Sequence, residues 1–293
     1  MQKERIEFVV DGDKVVGDLY IPEGNGPHPA VIVGGPMTSV KEQVTGVYAK
    51  ALAERGFAAL TIDPRHYGES GGEPRQYENY HHKIQDLKAA LDNLAKHSSV
   101  DPNRIGAVGV CLGVGYAMWS SVDNPLVKAI GAVVGYYRDV PDMQSRDPEG
   151  FRAKVEQGIS ARKHYEATGE VLSVPAVGTT GDAAMTTAEL VDYYGRRAAV
   201  SNYKNSFALM SREFFLGFDV QSAAPKIKVP VCMIHSEKAL SPHWARKYHD
   251  TLTGPKQIHW LEASGQVEFY DGEALVTKAS DLLAEHLRNH LAA

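Results

Sequence analysis

The segment Gly109-Val110-Cys111-Leu112-Gly113 constrains this chain more than any other part of its sequence. It follows the apolar run Ile105-Gly106-Ala107-Val108 and precedes the helix-like Val114-Gly115-Tyr116-Ala117-Met118-Trp119. A buried strand that turns this abruptly into a helix holds its corner residue in a strained backbone conformation, and glycines two positions to either side relieve the crowding. The Cys111 side chain is then expected to project alone from the strand's carboxyl end, over the free N–H groups of a helix amino terminus. That placement is expected to favour the thiolate, the nucleophilic form. The same five residues also fit a tight turn around a cysteine that packs as a small hydrophobe.

The periodicity around this corner supplies its context. Alternation in Arg5-Ile6-Glu7-Phe8-Val9-Val10 and Val15-Val16-Gly17-Asp18-Leu19-Tyr20, across Asp11-Gly12-Asp13, predicts an antiparallel hairpin. Apolar runs at 30–33, 57–62, 105–110 and 129–134 then alternate with helical patterns, such as Val44, Val47, Tyr48 and Leu52 on one face, or Ile84, Leu87, Leu91 and Leu94 on another. Such alternation implies a mostly parallel sheet covered on both faces, with ligands at the strands' carboxyl ends. The pattern then breaks for too long to be a simple loop. Residues 138–205 are read as a helical cap over the sheet edge, with 1–137 and 206–293 forming the core. The core resumes with a strand at 229–234, a helix near 241–252, a strand at 257–261 and a closing helix at 272–291.

Bulk properties narrow the function. The formal net charge of −5 gives no basic footprint for nucleic acid or an anionic membrane, so a small molecule is the expected partner. The two cysteines, Cys111 and Cys232, make neither a disulfide framework nor a zinc cluster. No run approaches the roughly 18 apolar residues of a membrane span, and Met1-Gln2-Lys3-Glu4-Arg5 has no signal-peptide pattern. A cytoplasmic protein without metal or cofactor is expected, and a homodimer is compatible with the sequence.

With its elements placed, the chain resembles the α/β-hydrolase superfamily over nearly its whole length, and more narrowly a dienelactone-hydrolase-like branch with cysteine in the nucleophile elbow. The segments that carry the resemblance, besides the elbow, are 35–43 (Gly-Pro-Met-Thr-Ser-Val-Lys-Glu-Gln), 63–75 (Asp-Pro-Arg-His-Tyr-Gly-Glu-Ser-Gly-Gly-Glu-Pro-Arg) and 135–139 (Gly-Tyr-Tyr-Arg-Asp). It implies an α/β-hydrolase fold: a mostly parallel eight-stranded sheet flanked by helices, with a helical cap insertion. It also implies a nucleophile, acid, histidine order. Cys111 takes the first place, and Glu237, in His235-Ser236-Glu237-Lys238-Ala239, the second. The segment Ala263-Ser264-Gly265-Gln266-Val267-Glu268-Phe269-Tyr270-Asp271 resembles G-A-x-H-x-D-L-Y-D of relatives, with Gln266 in the histidine position. The backbone amides of Leu112 and Met37 are the implied oxyanion donors.

A glutamine amide has no useful basicity near neutral pH, so it cannot shuttle the nucleophile's proton as histidine does. A serine would be nearly inert beside it. A thiol remains nucleophilic, because part of it is ionised near pH 7. The expected function is therefore acyl-type chemistry by Cys111 on a small ester, lactone or thioester, with Cys111, Glu237 and Gln266 as an atypical triad. The alternatives are a non-hydrolytic lyase, cyclase or isomerase using the same cavity and oxyanion hole, and a catalytically silent binder. His66 and His235 are the candidate substitute bases, ahead of His81, His82 and His243. Tyr137, with Tyr136, is a candidate cavity residue.

Overall fold

The computed structural model describes residues 1–292. Strands β1 (Gln2–Val10) and β2 (Asp13–Ile21) form the expected hairpin, closed by Asp11 and Gly12 at φ of 50° and 91°, as a two-residue turn between right-twisted strands requires. There follow β3 (His28–Gly34), α1 (Val44–Ala53), β4 (Ala58–Asp63), α2 (Tyr80–Leu94), β5 (Val100–Val110), α3 (Gly113–Ser121) and β6 (Val127–Val133). An insertion contains α4 (Val140–Arg146), α5 (Pro148–Thr168), β7 (Ser173–Val174), α6 (Ala188–Asp192), a π-helical turn at Tyr193–Arg197, β8 (Phe207–Ala208), α7 (Ser211–Phe215) and a 3-10 turn at Gln221–Lys226. The chain ends with β9 (Val231–His235), α8 (Pro242–Thr251), β10 (Lys256–Trp260), α9 (Glu268–Asp271) and α10 (Glu273–His290).

Eight strands form one sheet in the order β1-β2-β4-β3-β5-β6-β9-β10. β2 runs antiparallel to both β1 and β4, and all other pairs are parallel. The central strands are apolar and buried along nearly their whole length, as a sheet covered on both faces requires. Leu287 of α10 reaches the Val31 and Gly106 positions, whereas Gly34 and Gly109, three residues further on, face Leu87 of α2 and Val114 of α3. An odd step along a strand changes face, so these helices cover opposite sides. Among the described residues no helix is long and apolar enough to cross a membrane.

The insertion is longer than the sequence pattern suggests. Residues from 206 were expected to belong to the core, but β8 pairs with β7 and α7 packs on α5, so the sheet resumes only at Val231. A two-residue strand has no readable periodicity.

Candidate active site

Cys111 occupies the corner between β5 and α3 with φ of 55°. The close approach of three backbone segments explains the flanking glycines. A Cβ on Gly109 would lie 2.4 Å from the Val114 Cα, and one on Gly113 would lie 2.3 Å from the Gly34 carbonyl oxygen. No side chain fits at either position, so the corner and the end of β3 lock together. The resulting side chain is nearly buried but lies in the wall of a cavity of about 320 Å³. Met37, Leu112, Tyr136, Arg138, Tyr194 and Tyr270 line the same space, with apolar residues of the insertion.

Three polar groups lie near the Cys111 sulfur, the Tyr270 hydroxyl, the Leu112 N–H and the Gln266 side-chain amide, none of them in full hydrogen-bond geometry with it. All three pull the thiol's pKa down, yet burial outweighs them and pushes it up. The expectation that the corner favours a thiolate is therefore corrected. Desolvation of the charged form exceeds what these three groups return. The Tyr270 hydroxyl interacts with the sulfur and with Gln266, although neither contact has full hydrogen-bond geometry and the oxygen is otherwise unpartnered.

In the same cavity wall, the Met37 N–H has no acceptor among the described residues, whereas the next amide, Thr38 N–H, donates to Glu78 Oε2 at 2.9 Å. Thr38 has φ of 60°, a strained conformation that persists only where surrounding contacts over-determine it. Glu78 supplies that support. Its buried carboxylate also accepts from the Tyr67 hydroxyl at 2.8 Å, the Tyr116 hydroxyl at 2.7 Å and Lys83 Nζ at 2.6 Å. Burial lowers the Lys83 pKa and Glu78 works against that fall. The network ties the loop after β3 to the loop after β4 and to α3, directly behind Met37.

The carboxyl ends of β9 and β10 are arranged differently. Glu237 is exposed and pairs with Arg246, so the structure does not bring it to Cys111 or to Gln266. Its side chain follows the solvent side of the turn, where a carboxylate keeps its hydration. Gln266 is buried beside the thiol and fully engaged: its Nε2 donates to the Val134 carbonyl at 2.7 Å, and its Oε1 accepts from the Leu240 N–H at 3.0 Å. Gln266 bridges two loops.

Neither candidate base reaches the cavity. His235 is buried between Tyr137 and Trp260, with Nδ1 3.0 Å from the Ser236 carbonyl and Nε2 3.3 Å from the Gly135 carbonyl, and burial lowers its pKa. His66 stacks on His82 with 2.8 Å between their ring nitrogens, and burial pushes its pKa down to about 3. It follows β4 and is absent from the residues that line the cavity. Tyr137 packs on Tyr248 within the core while Tyr136 lines the cavity, because successive extended residues point to opposite sides. The carboxylates of Glu42, Asp63 and Glu69 converge closely enough to suggest a cation site. Lys41 Nζ already bonds all three.

Sequence reasoning missed Glu78, Lys83, Arg138 and Tyr270. Tyr270 had a readable signal, one helical turn after Gln266 and on the same face. Arg138 had a weaker one, a charge a few residues beyond an apolar strand. Glu78 and Lys83 had none, because their partners come from four separate segments.

Comparison with known proteins agrees with this architecture. Residues 1–146 match the family described as esterase FrsA-like. YcjY of Escherichia coli strain K12, an uncharacterized protein, is 30% identical over 280 residues, covering 91% of this chain and 91% of that one. Thiohydrolase aneE of Aspergillus aculeatus is 30% identical over 183 residues, or 60% of this chain and 56% of its own length. The crystal structure of the α/β hydrolase GrgF from Penicillium sp. sh18 superposes with a TM-score of 0.83 at 20% identity, covering 100% of both chains. The chain belongs to the α/β-hydrolase superfamily, in the same family as YcjY.

Proposed function

We propose that this hydrolase-like protein performs acyl chemistry on a small ester, lactone or thioester through a covalent intermediate on Cys111. The observation that carries this reading is Cys111 in the cavity wall with the Leu112 N–H near its sulfur, and Met37, whose N–H has no acceptor among the described residues, in the wall of the same cavity. These two amides would receive the oxyanion as the S–C bond forms. Collapse then breaks the C–O or C–S bond of the substrate, and the thiol's proton leaves with the departing alcohol or thiol. The Tyr270 hydroxyl, between the sulfur and Gln266, is the group placed to relay that proton, accepting one while donating its own. The reverse relay returns a proton to sulfur when water or another acceptor takes the acyl group. The esterase family match and the similarity to a thiohydrolase support this substrate class.

A second reading, a non-hydrolytic lyase, cyclase or isomerase, is favoured by one observation. Among the residues lining the cavity there is no histidine and no carboxylate, so activation of water has no ordinary general base. The two readings separate by experiment. Incubation with p-nitrophenyl acetate and with an N-acetylcysteamine thioester is expected to add one acyl group per chain by intact mass, and Cys111→Ala is expected to abolish it. No adduct from either compound would overturn the acyl reading. Chasing the adduct with water alone or with an added thiol shows whether hydrolysis or transfer discharges it.

A further inference from the structure

Arg138 is fully buried, yet no carboxylate lies within salt-bridge distance of it among the described residues. Its one side-chain hydrogen bond runs from Nη2 to the Leu216 carbonyl at 3.0 Å, and its Nε is buried without a partner. The guanidinium carbon lies 4.2 Å from the centre of the Phe215 ring and 5.9 Å from that of Tyr136. Both rings line the cavity with Cys111, as Arg138 does. Buried charges in proteins are normally paired, because removing an ion from water is costly and a guanidinium does not escape by losing its proton.

The nearby carboxylates are all committed elsewhere. Asp219 accepts from the Val140 N–H at 3.0 Å and the Ser222 N–H at 2.9 Å. Asp139 caps α4 through the Asp142 N–H and pairs with Lys247. Glu78 is saturated by Thr38, Tyr67, Tyr116 and Lys83. The stack on Phe215 and Tyr136 holds the cation in place but satisfies none of its free N–H groups. Arg138 is also the one charged residue among those lining the cavity. A single guanidinium fork matches a monoanion, and a carboxylate in particular. A phosphate would call for more donors and more charge.

We infer that Arg138 is the binding group for a substrate carboxylate, so that the acyl compound presented to Cys111 is an acid at its other end: a half-ester, a carboxylated thioester or a lactone acid. This inference rests on the acyl reading for the reacting end only. Insertion of the carboxylate supplies the missing counter-charge and fixes which end of the substrate reaches the thiol.

The test compares p-nitrophenyl half-esters of succinic, glutaric, adipic and suberic acids with the corresponding monoamides, by the rate of Cys111 acylation at low concentration. At one chain length or more the half-ester is expected to react at least tenfold faster, and Arg138→Gln is expected to erase that preference. Arg138→Lys keeps the charge without the fork, and is expected to retain only part of it. Equal rates for half-ester and amide at every length overturn the inference while leaving the acyl reading intact. A preference that survives Arg138→Gln also overturns it. If no compound acylates Cys111, the acyl reading fails and calorimetry with the free dicarboxylates decides the inference by itself. Binding to the native protein that is lost in Arg138→Gln supports it, and no binding overturns it.

Discussion

The two halves of this site differ in kind. At the ends of β3 and β5, backbone segments pack so tightly that only glycine fits, and a buried carboxylate with four donors props the Met37–Thr38 turn. At the ends of β9 and β10, the acid position faces water with Arg246 and the histidine position is a glutamine tied to two backbone groups. The first half presents the Cys111 thiol and the Met37 and Leu112 amides proposed to receive an oxyanion. The second offers Tyr270 at the cavity, with neither a histidine nor a carboxylate beside it. On the proposed acyl reading, the groups that stabilise charge and those that would move a proton are built on different loops, so one set can change without the other.

Substitutions in the two halves therefore have unequal expected consequences. Glu78→Ala is expected to cost most, about 3–5 kcal/mol, because it strands the buried Lys83 ammonium and frees Thr38. Urea unfolding measures it, and a loss below about 1 kcal/mol would show that the turn is supported in another way. Gln266→Ala leaves the Val134 carbonyl and the Leu240 N–H without their partner, at roughly 1–3 kcal/mol for each buried group. Gln266→His is expected to bring no gain in ester turnover, because no carboxylate stands there to orient an imidazole. A tenfold gain would mean that the proton-transfer half lacks only its base.

How much of this contrast was legible follows from the range of the interactions involved. The corner at Cys111 is a local matter of steric crowding, so five consecutive residues announce it. The parallel sheet follows from apolar runs that any reader can count. Glu237 misled because position after a strand says nothing about which side of a turn a carboxylate takes, and exposure beside Arg246 is the cheaper solution. His66 and His235 misled in a similar way. Both sit near strand ends but turn into packed surroundings. Arg138 and Glu78 could not be ranked from sequence, since one is defined by the partners it lacks and the other by partners scattered along the chain.

Two smaller effects sharpen the picture. Because burial raises the Cys111 pKa, its thiolate fraction at neutral pH lies below that of a free thiol, and alkylation by iodoacetamide is expected to climb through the range above the ordinary thiol pKa of about 8.5. A plateau below that range would show that the three polar groups near the sulfur outweigh its dry setting. The least effect belongs to Glu237→Ala, which should change stability by no more than about 0.5 kcal/mol and leave acylation unaltered. A measurable fall in acylation rate would restore that carboxylate to the chemistry.

The long excursion between β6 and β9 supplies Arg138, Met143, Ala184, Thr187, Leu190 and Phe215 to the cavity wall, while the sulfur and its neighbouring amides come from the sheet. On the proposed reading, recognition and reactivity thus fall on separate stretches of the polypeptide. Substitutions within the excursion would then change which molecules are admitted without disturbing the corner that attacks them.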